Sequence, residues 1–481
     1  MFFVNCLKII SILCSIVGGT FLIPLGVAIY YDEPSTYLPL IIPMAVTLVV
    51  MLAVNIPTRK TKVKLSIRQT FAIVALSWIA ISILGSFPLY FSGAYPSYTD
   101  AFFESVSGFT TTGCTVCPSV EDLPHSINML RCLTHWLGGM GVVTLTVAML
   151  PLLGVGGFQL IKAETTGPEK GKVTARITTT AKVLWLIYTG FTLVETALLF
   201  WAGMSFDDAL AHSFSTLGTG GFSSKNASIG GFNSPAIDII ISVFMLIAGI
   251  NFSLYYYLIT RKFNDIFSNS EFKSYIAIVV ICTIAITLCV IPVYENIGTG
   301  LRYSFFQVLA IITTTGFGTA DYILWPSTAQ FFLFILFFIG GCSGSTGGGF
   351  KVVRWVVLWK QFKNEVKRIL HPHGVFTVRL NNKVGRKDIV FSVAAFLTAY
   401  FLLIAVTTFV GCIGKLDITT AFTGAVSMVG NVGPAFGGLG PSENYAALSG
   451  FVKYWYCFAM IAGRLELYTM ILFFTPAFWK K

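Results

Sequence analysis

The chain has 481 residues, 55% of them hydrophobic and only 11% charged, with a formal charge of +11 and positive mean hydropathy. A soluble protein of this length needs more charge to cover its surface, and several apolar runs reach the ~20 residues that cross a hydrocarbon core. The composition therefore excludes a soluble fold and leaves a polytopic membrane protein.

The first apolar segment, roughly Lys8 to Tyr30, has a flanking cation and no small-residue cleavage site, so it reads as a retained helix. Spans are predicted near 6–30, 37–57, 69–92, 128–153, 181–203, 235–259, 275–293, 329–359, 388–411 and 450–475. Lys and Arg cluster at 59–68 (Arg59, Lys60, Lys62, Lys64, Arg68), 162–182, 261–273, 351–387 and Lys480–Lys481. The alternate connections hold Asp32, Glu33, Asp100, Glu121, Asp122, Asp207, Asp208, Glu295, Asp417 and Glu443. The positive-inside rule makes the basic set cytoplasmic, and ten crossings put both termini there. Topogenesis thus explains the basic balance without nucleic acid.

Between the third and fourth spans lies 100–118, too long for a tight turn and too apolar for a solvated loop. Similar inserts follow the fifth, seventh and ninth spans. Aligned on Gly113, Gly221, Gly316 and Gly433, they read DAFFESVSGFTTTG, DALAHSFSTLGTGG, YSFFQVLAIITTTG and TAFTGAVSMVGNVG. This is a repeat of helix, apolar half-helix, glycine turn and helix, present four times. The expected organisation is two leading helices (1–65) and four units (66–160, 161–265, 266–370, 371–481). A half-helix of about ten residues, ~15 Å, crosses half a bilayer and must return. Non-helical backbone survives at that depth only inside protein or along a water path, so the four turns are expected to meet on one axis. Converged turns offer carbonyl and hydroxyl oxygens, which replace the hydration shell of a potassium-sized cation. Glycine permits the backbone angles that aim successive carbonyls inward.

The stretch GGCSGSTGGGFK, 340–351, falls inside the eighth span. Its glycines cannot hold a straight helix. It is not a phosphate loop, because Phe350 separates Gly349 from Lys351 and Val352 stands where Ser or Thr is needed. It reads as a flexible break below the turns, the alternative being close helix packing. Arg464 lies within the last span, where a lone charge costs at least ~2.5–3.5 kcal/mol, so it must face a cavity or a partner. Facing the pore, it repels cations; otherwise it pairs with Glu195.

Among weaker signals, Glu104 and His212 occupy equivalent positions and either bond neighbouring backbone or shape the outer field. Asp100 and Asp208 look like N-caps. His135 reads as a packed polar group without metal partners. KNEVKRILHPH, 363–373, is amphipathic and suits either anionic headgroups or a docked partner. Of the ten cysteines, most lie in apolar runs as small hydrophobes. Cys114 and Cys117 form a lone CxxC, a poor zinc signal; free thiols are favoured over a disulfide.

The fourfold unit, the TTTG turns, HWLGGMG, GGCSGSTGGGFK and GRLELYT together resemble the membrane subunit of Trk-type potassium transporters, of the Trk/Ktr/HKT superfamily. The resemblance covers essentially the whole chain. It implies potassium uptake across the inner membrane, a homodimer with one pore per subunit, and control by a cytosolic nucleotide-binding ring of the RCK type. It carries a filter onto Thr111, Thr112, Gly113, Thr219, Gly220, Gly221, Thr314, Thr315, Gly316, Asn431, Val432 and Gly433, with K⁺ as the bound and transported ion. It implies a gate made of Gly344, Ser345, Thr346, Gly347, Gly348, Gly349 and Arg464. The expected fold is an all-α membrane protein with four re-entrant half-helices around one pore. No cofactor is expected in this chain, and nucleotide only on the partner. Sodium- or proton-coupled symport is the alternative. A membrane-embedded enzyme is a weaker one, because clustered catalytic groups are lacking within the spans.

Overall fold

The computed structural model describes residues 2–59, 67–141, 177–381, 383–384 and 388–479. Helices dominate. The leading pair is α1 (Phe2–Thr20), continued by α2 (Leu22–Tyr30), and then α3 (Pro34–Asn55). The first unit comprises α4 (Ile67–Phe91), the half-helix α5 (Tyr98–Phe109) and α6 (His125–Gly139). The second comprises α7 (Ile177–Trp201), half-helix α8 (Phe206–Gly218), α9 (Pro235–Ala248) and α10 (Phe252–Ile259), with a short α11 (Phe263–Phe267) after it. The third holds α12 (Ser270–Tyr294), half-helix α13 (Ile297–Ile312), α14 (Ser327–Leu336) and α15 (Val352–Leu370). A two-residue hairpin, β1 (Arg379–Leu380) with β2 (Lys383–Val384), leads to the fourth. That unit is α16 (Asp388–Ile413), half-helix α17 (Ile418–Gly430), α18 (Gly450–Arg464), α19 (Tyr468–Phe474) and α20 (Pro476–Trp479).

Among the described residues six helices are long and apolar enough to cross a membrane: 3–30, 34–55, 68–91, 181–201, 270–294 and 389–413. They match the first, second, third, fifth, seventh and ninth predicted spans. The other four predicted spans, the second helix of each unit, are not continuous helices. After α6, Gly141 takes a φ of 73°. The α9–α10 pair bends by 93° at Gly249–Asn251. Residues 337–351 separate α14 from α15. The last span breaks at Leu465–Leu467, where Glu466 and Leu467 have φ of 55° and 51°. A break was expected only at 340–351; the second and fourth units have one too, and in the first α6 ends at Gly139, inside the predicted span. Glycine or a left-handed residue follows the helix end in the first, second and fourth units, whereas α14 ends at Phe337 in right-handed angles, ahead of the glycines of the loop.

Residues 142–153 of the fourth predicted span lie outside the described residues, as do most of the 162–182 cluster, Lys60, Lys62, Lys64 and Lys480–Lys481. The proposed unit boundaries at 65 and 160 lie outside them too.

Packing follows the sequence repeat. In each unit the long first helix lies along its own half-helix: α4 on α5, α7 on α8, α12 on α13, α16 on α17. Neighbouring units join when the second helix of one packs on the half-helix of another: α6 on α8, α9 on α13, and α18 on α5. Phe334 and Phe338 against Phe422 complete the circuit between the third and fourth units. The half-helices sit inside this ring, with Phe103–Phe109, Ala211–Gly218, Phe306–Ile312 and Thr423–Gly430 buried throughout. The leading helices pack mainly on the first unit, α1 and α3 on α4 and α2 on α6.

Candidate cation site

The half-helices have 12, 13, 16 and 13 residues, somewhat longer than the ten expected. Each begins on a side-chain cap: Ser97, Ser205, Asn296 and Asp417 accept from the N–H of Asp100, Asp208, Gly298 and Thr420. Asp100 and Asp208 are therefore not the N-caps expected. They stand three residues on and accept from the Ser97 and Ser205 hydroxyls at 2.7 and 3.0 Å. Each Ser hydroxyl thus accepts from the Asp N–H and donates to the Asp carboxylate, which places a negative charge in the first turn of the half-helix.

The other ends share one backbone pattern. Thr112, Gly220, Thr315 and Val432 each donate their N–H to the carbonyl five residues back, at 2.8–3.0 Å. This is the long bond of a Schellman turn, which needs a left-handed residue just before the donor. That residue is Thr111, Thr219, Thr314 or Asn431, with φ of 54–57°. Positive φ returns at Gly113, Gly221, Gly316 and Gly433, between 76° and 99°. The glycines are required by their neighbours. A Cβ on Gly113 would collide with Gly220 O, one on Gly221 with Thr315 O, and one on Gly316 with Val432 O. One on Gly433 would stand 2.5 Å from Thr112 O. Each unit's glycine thus faces the middle carbonyl of the next, and the fourth faces the first. The four turns close into a ring, and the half-helix C-termini bring their negative ends to it.

Each turn is braced from behind by the helix it leaves. Glu104 accepts from Thr115 Oγ1 and Val116 N, both at 2.9 Å. His212 Nε2 meets Ser223 Oγ at 2.9 Å, and Gln307 Nε2 donates to Ala320 O at 3.0 Å. In the fourth unit Thr423 exchanges bonds with the Phe436 backbone. Glu104 and His212 accordingly bond neighbouring chain, the first of the two readings. His135 is fully buried: its Nδ1 lies 2.8 Å from Gly108 O, and its Nε2 accepts from Phe222 N. That pairing makes it the neutral Nδ1–H tautomer and a wall of the second turn. Gly433 O accepts from Ser427 and Tyr445 at 2.9 and 2.7 Å. Asn431 Nδ2 donates to Thr112 Oγ1 at 2.9 Å, joining the fourth turn to the first.

Arg131, on α6, was not singled out from the sequence. It pairs with Glu104 at 2.8 Å, both side chains being at most 1% exposed, and bonds Asn128 at 2.8 Å. The signal was available: a lone charge inside a predicted span, the same one that marked Arg464.

Below the ring the three helix breaks and the end of α6 come together. Arg464 donates to Thr346 O at 2.7 Å and to Gly138 O and Gly139 O at 2.6 and 3.0 Å. It joins the break of the last helix to the end of α6 and to the glycine-rich stretch. Cys342 N donates to Gly249 O at 2.8 Å and Phe252 N to Gly344 O at 3.0 Å, which brings in the second unit. Gly348 N donates to Thr314 Oγ1 at 2.7 Å, so the loop touches the underside of the ring. The alternative of glycine-mediated helix packing fails for 340–349, because this segment is not helical. The alternative ion pair of Arg464 with Glu195 is also absent; both Glu195 oxygens are buried without a hydrogen bond.

Cys114 and Cys117 are separate thiols. Cys114 packs on Met428 and Met460, and Cys117 faces Ser119 O. The 363–373 stretch begins as the end of α15, with Trp359, Phe362, Val366, Ile369 and Leu370 exposed.

The family described as TrkH, cation transport protein, matches residues 40–481. A Trk system potassium uptake protein TrkH from Salmonella typhimurium is 39% identical over 485 residues, covering 98% of this chain and 99% of its own. The Trk system potassium uptake protein TrkG of Escherichia coli is 34% identical over 95% of this chain and 94% of its own. The crystal structure of the potassium transporter TrkH from Vibrio parahaemolyticus matches with a TM-score of 0.89 at 34% identity, covering 100% of both chains.

Proposed function

Since the chain belongs to the TrkH family of cation transport proteins, we propose that it takes up potassium through the ring of four turns. One observation carries the reading: the glycine of each unit lies against a carbonyl oxygen of the next, and the series closes on itself. Such oxygens substitute for water around a monovalent ion. The filter then comprises Thr111–Gly113, Thr219–Gly221, Thr314–Gly316 and Asn431–Gly433. The turns carry hydroxyl, amide and carbonyl oxygens and no carboxylate or imidazole, which favours passive conduction over proton-coupled symport. Arg464 and the loop 344–349 form the gate. A guanidinium held by three carbonyls directly below the ring opposes a cation electrostatically.

The protein sits in the inner membrane as a homodimer with both termini cytoplasmic. A cytosolic nucleotide-binding ring of the RCK type controls it from the side of α15.

Reconstitution in liposomes tests this. Under an imposed potential, K⁺ influx is expected to be the same with or without a sodium or proton gradient. Influx that needs either gradient overturns the passive reading in favour of symport. Arg464→Ala is expected to raise K⁺ influx per folded protein; a drop in folded yield with unchanged influx would make Arg464 merely structural.

A further inference from the structure

The first turn of α15 touches both halves of the gate. Lys351, its N-cap and 2% exposed, donates from Nζ to Gly347 O inside the loop. Glu271, on α12, accepts from Ser343 N at 2.6 Å and Val353 N at 3.2 Å, tying the loop's entry to the same helix start. One residue further, Arg354 donates from NH2 to Glu466 Oε2 at 2.7 Å. Glu466 belongs to the break that immediately follows Arg464, and it holds a left-handed φ of 55°.

We propose that Arg354 and Glu466 form a clamp that holds Arg464 in its blocking position. α15 is the lever that releases it. The inference rests on the gate reading of Arg464 and the loop.

Two features suit a releasable clamp. The pair is joined by a single hydrogen bond, while Arg354 NH1 and Glu466 Oε1 remain buried without partners. A buried pair satisfied on only one side is held less firmly than a bidentate one. The Arg354 guanidinium also lies 3.8 Å from the centre of the Phe396 ring, on α16. That cation–π contact keeps the charge partnered after Glu466 leaves. Because α15 runs on to Leu370 with an exposed apolar face, a displacement of its far end reaches both Lys351 and Arg354.

Arg354 and Glu466 are positioning residues, so the test is rescue. In liposomes, without any cytosolic partner, Arg354→Gln and Glu466→Gln are each expected to raise basal Rb⁺ influx roughly fivefold or more, the lower end of ordinary coupling energies. Arg354→Lys should fall between. The exchange Arg354→Glu with Glu466→Arg should return influx toward the parent value. Single variants that leave influx unchanged or lower it, while Arg464→Ala raises it, overturn the clamp and spare the gate. If Arg464→Ala also fails to raise influx, the gate reading falls and the clamp with it. Single variants that raise influx with no rescue by the exchange overturn the pairing. Should Arg354→Gln not fold, Glu466→Gln decides alone, since that side chain is 24% exposed and tolerates a neutral amide.

Discussion

At the scale of single residues, the site depends on groups that are costly anywhere else. Thr111, Thr219 and Thr314 hold left-handed angles that a β-branched residue seldom adopts, at a cost on the order of 1–2 kcal/mol each. Such angles persist where the surroundings over-determine them, and here the ring does so. The Glu104–Arg131 pair is the second case. It places two charges in the protein interior to fix the chain that returns from the first turn. Removing one partner leaves the other buried and uncompensated. Arg131→Met is therefore expected to cost about 3–5 kcal/mol, read as lost thermal stability in detergent. Pairing it with Glu104→Gln should restore part of that loss. A double variant no more stable than the single one would show that the two charges do not depend on each other.

At the scale of elements, the half-helices were legible because glycine recurs at one register in four aligned stretches, and packing rarely produces such a repeat. The points where the second helices break or end were legible only where glycine was dense, at 340–349. Elsewhere the cue was thin: HWLGGMG in the first unit, one glycine before Ile250 in the second, and Gly463 with two ordinary residues in left-handed angles in the fourth. Apolar composition around these points reads as continuous helix, and hydropathy cannot register a change of direction. Partners across units, such as Arg464 with Gly138 and Thr346, are set by tertiary placement and leave no local trace. The loop itself makes a sharp prediction. A Cβ on Gly347 would stand 2.8 Å from Thr313 O, and one on Gly348 would stand 2.7 Å from Gly430 O. Alanine at either position must push the loop away from the underside of the ring. Gly347→Ala and Gly348→Ala are expected to raise basal K⁺ influx; normal expression with unchanged influx would mean that the loop only fills space.

At the scale of the whole molecule, four similar units close one ring without being equal. The first and third turns present paired threonine hydroxyls, Thr110 with Thr112 at 2.8 Å and Thr313 with Thr315 at 2.7 Å. The second has Gly220 and the fourth Asn431 and Val432, with no such pair. All four seams set a second helix against a half-helix, three through broad contact and the fourth chiefly through aromatic rings, Phe334 and Phe338 against Phe422. A filter of four identical GYG walls holds every oxygen under the same restraint; here the restraints differ wall by wall. Discrimination between K⁺ and Na⁺ depends on how firmly the oxygens resist closing on the smaller ion. Each 1.4 kcal/mol lost from that resistance lowers the ratio about tenfold. Reversal potentials under opposed K⁺ and Na⁺ gradients should therefore give a permeability ratio at least about tenfold below that of GYG channels. A ratio equal to theirs would mean that the unequal walls are held as stiffly as identical ones.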